Sequence, residues 1–336
     1  MVKLSDMLRR AQEAENKTKN KPGLISEAVK AKEAPVDMHE MKRIYEDAII
    51  DLRVFMDDVV EGKKVTGRRI FSIAEKIIHY LRVDKDTLVS FINIFGFLGE
   101  TDDYLYSHSL NVAILAGGIG MDLEYNQQQL LNLCVSSLLH DLGLLKIPEK
   151  IIKKPGKLTK DEFAQVKKHC AYGLDLLANI SDITQSIQDV VYQHHERIDG
   201  SGYPEGRKGP EISESAKIIA MIEVYEAMTH PRPYRGEKII PYDGVREVVQ
   251  EAKRSFEPRL VKKFLRFITP YPLGSFVLLN NNEIGRIVQT HEDRPLRPVV
   301  EIFFDSEGKP PEKPKRINLA KSPVLHIEKA IDDSLL

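Results

Sequence analysis

The sequence has few of the features that would assign a protein class immediately. It holds only two cysteines, Cys134 and Cys170, among 336 residues. Two cysteines in a chain of this length are not a disulfide framework, so a reducing, cytoplasmic environment is expected. The formal net charge is −1, which argues against a general electrostatic binder of duplex nucleic acid.

Long apolar segments are also missing. No run of about 18 apolar residues occurs, so the sequence predicts no membrane-spanning helix. The first residues, MVKLSDMLRR, lack the apolar core of a signal peptide, and no secretion signal is expected there. The composition is 42% hydrophobic and 29% charged residues, which is typical of packed soluble domains.

Hydrophobic spacing divides the chain into parts and predicts a mainly α protein. Residues 1–37 are polar, and either a short amphipathic helix or a frayed tail fits them. Helical spacing then continues through 38–100, a helical N-terminal region, and through 101–268, an all-helical domain with short breaks at glycine or proline. The leading region lacks the alternation of strands and helices that a phosphoacceptor receiver domain needs.

The pattern changes to short β-rich runs in the last part of the chain. The runs GSFVLLNN, NEIGRIVQTH, RPVVEIFF and PVLHIEKAI alternate with clusters of Asn, Gly and Pro. Residues 269–336 are therefore predicted to form a small β-rich C-terminal domain. The stretch DSEGKPPEKPKR inside it is interpreted as a loop.

Side chains that bind metals are concentrated at the predicted helices and their ends. The stretch LLHDLGLLKIP carries the adjacent His140 and Asp141, and a second pair, His194 and His195, precedes a Gly-rich loop. Imidazole and carboxylate ligands suit iron, manganese, nickel and zinc. Two such ions about 3.5–4 Å apart can activate a hydroxide and clamp a phosphate. Taken alone, each histidine would more often be an ordinary core or surface residue.

Taken together, the motifs resemble the HD-GYP family of HD-superfamily phosphodiesterases. The order H, HD, H and HH, ending in HHERIDGSGYPEG, is that of the family, and KKPGKLTKDEF and YEAMTHPRPYR resemble its flanking segments. The resemblance covers about residues 101–240. It implies an all-helical HD-type metallohydrolase domain with a centre of two or three metals, often iron. It also implies hydrolysis of the bacterial second messenger cyclic di-GMP to a linear dinucleotide or to GMP.

The resemblance also implies roles for particular residues. The catalytic residues it implies are His140 and Asp141, with Asp141 bridging two metals. The metal ligands it implies are His108, His140, Asp141 and Glu223 for one ion, and Asp141, His169, His194 and His195 for the other. The substrate-binding residues it implies are Gly202, Tyr203 and Pro204 of the GYP loop, with Arg232 and Arg235 at the phosphates. Without the family, this loop would be an ordinary turn and these arginines would be solvated surface charges.

The sequence departs from the family pattern at several positions. The family usually reads HDxGK, but Leu144 stands at the lysine position, and Lys146 is expected to point to another side of the turn. Members with three metals carry a Glu where Tyr104 stands, so two metals are expected here. The usual metal-binding Asp is replaced by Glu223, and Glu226 is the second acid of that segment. These departures predict a surviving metal site and slow turnover.

Three functions therefore stay open. The first is a cyclic di-GMP phosphodiesterase with two divalent transition metals, iron foremost and manganese, nickel or zinc as alternatives. The second is a degenerate member that binds the nucleotide or a protein without hydrolysing it. The third is a phosphohydrolase of another nucleotide, such as a mixed cyclic dinucleotide. The N-terminal helices and the C-terminal β domain are the candidate surfaces for protein partners or for a homodimer.

Overall fold

The described chain forms two compact units, a helical unit that ends at Phe267 and a sheet unit that holds the residues from Ile268 onward together with Pro241 and Tyr242. The computed structural model describes residues 38–95, 104–229, 241–252, 254–268, 270–271, 273–291, 294–311 and 313–331. The predicted mainly α fold with a small C-terminal sheet is confirmed. The predicted polar tail, 1–37, lies outside the described residues.

The helical unit follows the predicted pattern closely. Its described helices are α1 (Met38–Val60), α2 (Arg68–Phe95), α3 (Tyr104–Asp122), α4 (Gln127–Leu139), α5 (Glu149–Ile152), α6 (Lys160–Val166), α7 (His169–Leu177), α8 (Gln185–Gln193), α9 (Glu214–Thr229), α10 (Pro241–Glu251) and α11 (Pro258–Phe267). Asp84 has non-helical dihedral angles (φ −152°, ψ 79°) and divides α2.

Helix α3 lies at the centre of the helical unit. Every residue from Tyr106 to Gly120 is buried, which fits a helix that is mainly apolar on all sides. Glycines in its last turns let neighbouring side chains approach the backbone: Leu81 and Cys134 lie beside Gly117, and the Phe267 ring lies against Gly118. Because α3 is surrounded, a polar side chain on it such as Asn111 has its partners inside the protein.

Local signals fix where helices begin. The Thr159 hydroxyl accepts from the Glu162 backbone N–H at 3.2 Å, and the Glu162 carboxylate accepts from the Thr159 N–H at 2.7 Å. Thr159 and Glu162 stand at capping-box spacing in the sequence, and these two bonds form that box. The same reciprocal pair occurs at Asn126 and Gln129, at the start of α4.

Among the residues described, no helix is both long enough and apolar enough to cross a membrane.

Two short strands also lie within the helical unit. Val65–Thr66 (β1) pairs in parallel with Ile180–Ser181 (β2), so the α1–α2 connection lies beside the α7–α8 connection. The sequence predicts only helices and breaks in this region. A pair of two-residue strands leaves no period-2 pattern long enough to recognise.

The sheet unit is antiparallel, with strand order β6-β5-β4-β3-β7. Its strands are β3 (Phe276–Leu279), β4 (Ile284–Gln289), β5 (Val299–Phe304), β6 (Lys315–Asn318) and β7 (Ile327–Ile331). One face packs a small apolar core around Val277, Ile287 and Val300. The interpretation of DSEGKPPEKPKR as a loop is wrong at its end, because β6 begins at Lys315. The polar, half-exposed edge strand KRIN has no apolar alternation that would reveal it.

Gly143 lets the turn after α4 pack closely against helix α7. Gly143 lies in the 3₁₀ turn Leu142–Lys146 that follows α4, and this turn packs on α7. A Cβ at Gly143 would lie 2.0 Å from the His169 carbonyl oxygen and 2.6 Å from the Gly173 nitrogen. Both neighbours are backbone atoms, so no side-chain rotation can relieve the clash.

We therefore expect Gly143→Ala to lower the free energy of unfolding by roughly 1–3 kcal/mol or more. Gly117→Ala is the control, because its Cβ would meet only side-chain atoms of Leu81 and Cys134, at 2.9 and 3.0 Å. These atoms can shift, and Ala also favours the helix. Denaturant unfolding of both variants is the measurement, and an equal loss in the two would contradict the role assigned to Gly143.

Candidate metal centre

Seven titratable side chains meet inside the helical unit. Each comes from a helix or from the residues directly after one: His108 (α3), His140 and Asp141 (after α4), His169 (start of α7), His194 and His195 (after α8) and Glu223 (α9). All are buried except His195, whose side chain is 20% exposed. The structure thus brings together every residue predicted as a metal ligand, and His195 marks the side nearest to solvent.

Three of the imidazoles are oriented by their own backbone. His140, His169 and His194 each place Nδ1 2.7 Å from the carbonyl oxygen three residues earlier. The carbonyls belong to Ser137, Val166 and Val191. A carbonyl can only accept, so each Nδ1 carries a proton, and the neutral form of each ring presents an Nε2 lone pair to the interior.

These Nε2 atoms face other Nε2 atoms. The distance from His169 Nε2 to His194 Nε2 is 3.1 Å, and that from His140 Nε2 to His108 Nε2 is 3.3 Å. Two lone pairs cannot form a hydrogen bond with each other. A proton or a metal cation must therefore lie among them.

Asp141 lies between the two imidazole pairs. Its Oδ2 is 3.6 Å from His108 Nε2 and 3.4 Å from His140 Nε2. Its Oδ1 is 3.4 Å from His169 Nε2 and 3.8 Å from His194 Nε2. One carboxylate thus offers a different oxygen to each pair.

Glu223 reaches the same space from α9. Its Oε1 lies 3.5 Å from His140 Nε2, and its Oε2 lies 3.5 Å from His195 Nδ1. Within the described part of the chain, no hydrogen bond satisfies this buried Oε2. A buried carboxylate oxygen without a donor is costly unless positive charge is near. The longer side chain of Glu, relative to the family's Asp, therefore still places a carboxylate at the site.

The side chains form two groups. Within each group, the ligand atoms all lie within 4.8 Å of one another. One group is His108, His140, Asp141 and Glu223, and the other is Asp141, His169, His194 and His195. Neutral imidazole with carboxylate is a donor set of first-row transition metals rather than of calcium or magnesium, which prefer oxygen alone. The residues present therefore fit two such ions that share Asp141.

The electrostatics differ between the two groups. Burial disfavours the charged form of His140, but Asp141 and Glu223 outweigh it and raise its pKa well above the ordinary value. Burial lowers the pKa of His195 to about 3, and burial together with His195 lowers that of His194. Burial opposes the charge of Asp141, yet the surrounding imidazoles, His140 first, hold its pKa well below the ordinary value. His194 and His195 thus keep their lone pairs free for a metal at neutral pH.

The GYP loop folds back onto the second group. The Tyr203 ring stacks on His195, with centroids 4.5 Å apart and planes at 27°. Gly202 permits this approach, because a Cβ there would lie 2.4 Å from the Arg197 nitrogen and 2.5 Å from the His195 carbonyl oxygen. Pro204 is exposed at the loop surface. Tyr203 therefore borders the more exposed side of the site.

A buried carboxylate holds this loop in place. Glu196 is 2% exposed, and its two oxygens accept from the backbone N–H groups of Glu205, Gly206 and Arg207, at 2.8, 3.1 and 3.0 Å. Glu196 is not among the site residues predicted from the sequence. Its position inside the HHERIDGSGYP motif, next to His195, is the signal that could have suggested a structural role.

The remaining predicted positions have separate outcomes. Leu144 is half-buried in the turn after Asp141, and Lys146 is directed away, with its Nζ donating to the Val60 carbonyl at 3.2 Å, as expected. The Tyr104 ring stacks on His108 with centroids 5.7 Å apart, where family members with three metals carry a Glu. Arg232 and Arg235 lie outside the described residues.

Comparison with known families agrees with this arrangement. Residues 97–260 match a family model described as an HD domain, and residues 276–335 match one described as a KOW domain associated with HD domain. The chain contains an HD domain. The paired His140 and Asp141 lie within its matched range, as do all the other residues of the candidate centre.

Several curated proteins resemble the HD domain and its surroundings. A cyclic di-GMP phosphodiesterase of Pseudomonas aeruginosa is 32% identical over 225 residues, which are 67% of this chain and 54% of that protein. A cyclic di-GMP phosphodiesterase of Thermotoga maritima is 31% identical over 205 residues, 60% of this chain and 55% of that protein. A 3'3'-cGAMP-specific phosphodiesterase of Vibrio cholerae is 37% identical over 136 residues, 40% and 31% of the two chains. The chain thus spans about half or less of the length of these relatives.

A solved structure supports the same fold for the HD domain. The protein described as Bd1817, a HDG"Y"P protein from Bdellovibrio bacteriovorus, superposes with a TM-score of 0.55 at 14% identity. The match covers 70% of this chain and 73% of that one. At this level of identity the likeness concerns the fold alone.

The contacts of Glu196 lead to a test of the GYP loop. Gln in place of Glu196 keeps one acceptor oxygen and turns an amide group toward backbone N–H donors. We expect Glu196→Gln to lower the free energy of unfolding by about 1–3 kcal/mol, because charge-assisted hydrogen bonds are lost in a buried place. Amide hydrogen exchange at residues 205–207 should also become faster.

Glu205→Gln is the matched control in the same loop. The Glu205 side chain is 47% exposed, and its contacts are with half-buried Arg207 and with the Tyr192 hydroxyl, so a change within about 0.5 kcal/mol is expected. Equal exchange rates at residues 205–207 in wild type and Glu196→Gln would contradict the anchoring role.

Proposed function

We propose that this protein is a metal-dependent phosphodiesterase of cyclic dinucleotides, with cyclic di-GMP as the first candidate substrate. The opposed Nε2 lone pairs on either side of Asp141 carry the proposal, because they require cations in an otherwise buried site. The names of the curated relatives support the reaction class and the substrate class.

Each of the two groups of side chains is proposed to hold one metal ion. His108, His140, Asp141 and Glu223 would hold one ion, and Asp141, His169, His194 and His195 the other. Asp141 would bridge the two, since each of its oxygens faces a different group. We propose two divalent transition metals per chain, iron first, with manganese, nickel and zinc as alternatives.

Each part of the chain then has a defined task. When bound, two divalent metals supply Lewis-acid activation of water and neutralise charge on a phosphate. His140 and Asp141 fix where that chemistry occurs, because both are held rigidly at the end of α4. Gly202, Tyr203 and Pro204 form the rim beside His195, where a nucleotide can approach from the exposed side. Arg232 and Arg235 are proposed to bind the phosphates through their guanidinium groups.

A specific observation favours the second candidate, a receptor that binds the nucleotide without hydrolysing it. Leu144 supplies no cation at the position where the family has lysine, and Lys146 is bonded to Val60 on the other side of the turn. The Vibrio cholerae relatives named as 3'3'-cGAMP-specific phosphodiesterases favour the mixed dinucleotide as a further candidate substrate. Both nucleotides therefore belong in every assay.

The metal centre is tested through Asp141. Wild-type protein, prepared anaerobically with iron, should contain two ions per chain by elemental analysis and should hydrolyse cyclic di-GMP slowly by chromatography. Asp141→Ala should lose both ions and all activity, because one carboxylate serves both groups.

Asp175→Ala is the control, since Asp175 is an exposed residue of α7 in the same region of the sequence. It should keep metals and activity. An Asp141→Ala protein that retains the parental activity would show that the activity comes from elsewhere. A fully metallated wild type that binds the nucleotide in calorimetry but yields no product would support the receptor.

The gap at Leu144 gives a second test. Leu144→Lys places an ammonium group on the turn that begins at Asp141, near the expected phosphate. We expect it to raise the rate of hydrolysis, by up to about 10²-fold if the missing charge limits catalysis. Leu144→Gln is the control for size and polarity without charge. A rate for Leu144→Lys no higher than that for Leu144→Gln would show that the missing charge does not limit turnover.

A further inference from the structure

A line of hydrogen bonds leads from the candidate centre to helix α1. His108 Nδ1 is paired with Glu226 Oε2. Asn111 Nδ2 donates to Glu226 Oε1 at 3.2 Å, and the Tyr45 hydroxyl donates to Asn111 Oδ1 at 2.7 Å. All four side chains are at most 3% exposed. Three helices, α1, α3 and α9, thus contribute to one buried polar chain.

The direction of each bond follows from the one before it. The Tyr45 hydroxyl donates to the amide oxygen of Asn111, so the amide nitrogen faces Glu226. The carboxylate of Glu226 can only accept, and it therefore takes a proton from Asn111 and one from His108. With its proton on Nδ1, His108 presents an Nε2 lone pair toward His140 and Asp141.

His108 is held differently from the other oriented imidazoles. His140, His169 and His194 donate to backbone carbonyls, whereas His108 donates to a buried carboxylate. A carboxylate partner makes an imidazole a stronger metal ligand, and such partners commonly change metal affinity by about 10–100-fold. The orientation of Glu226 therefore matters for one group of ligands and not for the other.

We propose that Tyr45 is a positioning residue of the metal centre, which it serves through Asn111, Glu226 and His108. The inference rests on the proposed metal centre. It assigns a functional role to helix α1, which precedes the residues 97–260 matched by the HD domain. The Tyr45 hydroxyl stays protonated and can always donate a hydrogen bond, because burial and the charge of Glu226 raise the pKa of Tyr45.

The ring and the hydroxyl of Tyr45 can be separated by mutation. The ring packs against Phe91 with centroids 5.3 Å apart. The hydroxyl has a second, longer contact of 3.5 Å with the Ser107 carbonyl. Tyr45→Phe keeps the ring contact and removes the donor to Asn111, so it tests the polar chain rather than the packing.

The experiment is a Zn²⁺ titration of the full chain in competition with a chromophoric chelator. Tyr45→Phe should weaken one of the two binding steps, roughly three- to tenfold, and leave the other unchanged. Glu226→Gln should weaken the same step more. Tyr45→Phe added to Glu226→Gln should then have little further effect on that step, because both changes act through one chain of bonds.

Tyr106→Phe is the matched control. The Tyr106 hydroxyl donates to Asp57 of α1 at 3.2 Å, so this change also removes a tyrosine bond between α1 and α3. It should alter neither Zn²⁺ step. Unfolding midpoints of the metal-free variants, compared with that of the metal-free wild type, measure how much each hydroxyl contributes to stability in the absence of metal.

The outcomes separate the two proposals. Equal Zn²⁺ affinities in Tyr45→Phe and Tyr106→Phe, at both steps, would overturn the role of Tyr45 and leave the metal centre standing. A wild type that takes up no more Zn²⁺ than Asp141→Ala would overturn the metal centre itself. If Tyr45→Phe does not fold, Asn111→Ser takes its place, because it breaks the same chain of bonds between Tyr45 and Glu226. This variant should lose Zn²⁺ affinity at one binding step only. An equal loss of affinity at both steps would refute the proposal.

Discussion

The need for positive charge around Asp141 is the constraint on which the helical unit depends. Two pairs of imidazole lone pairs face each other at 3.1 and 3.3 Å, and two buried carboxylates lie beside them. Apolar packing cannot satisfy such a set, whereas a proton or a metal cation among the rings can. The surrounding helices are arranged accordingly: three of them end or begin at a ligand, so that the ligands converge while the helix bodies pack elsewhere.

Much of the candidate site could be predicted from the sequence, because its residues stand in an ordered set of motifs. His140 with Asp141 and His194 with His195 each follow an apolar helix, and the resemblance to the HD-GYP family implies Glu223 as a further ligand. Helical period and capping signals also predict the main helices, as at Thr159. The change to short β-rich runs predicts the C-terminal sheet. For the helices and the sheet the information is local, either a period or a turn.

The parts that could not be predicted depend on contacts between distant segments. Nothing near Tyr45 suggests a link to His108, because the two come from different helices and meet only in the folded chain. The role of Glu226 could have been inferred, since it lies three residues after Glu223 on the same face of α9. Strand β6 was missed because an edge strand with polar side chains resembles a loop in sequence.

The i−3 carbonyl bonds of three histidines have an evolutionary consequence. Main-chain atoms orient His140, His169 and His194, so side-chain identity at positions 137, 166 and 191 can drift without disturbing the ring tautomer. The orientation of His108 depends instead on side chains. These are Glu226, Asn111 and Tyr45, which lie on three different helices. Within one centre, three of the five histidines therefore tolerate neutral change at their partner positions, whereas His108 ties the HD domain to the segment that precedes it.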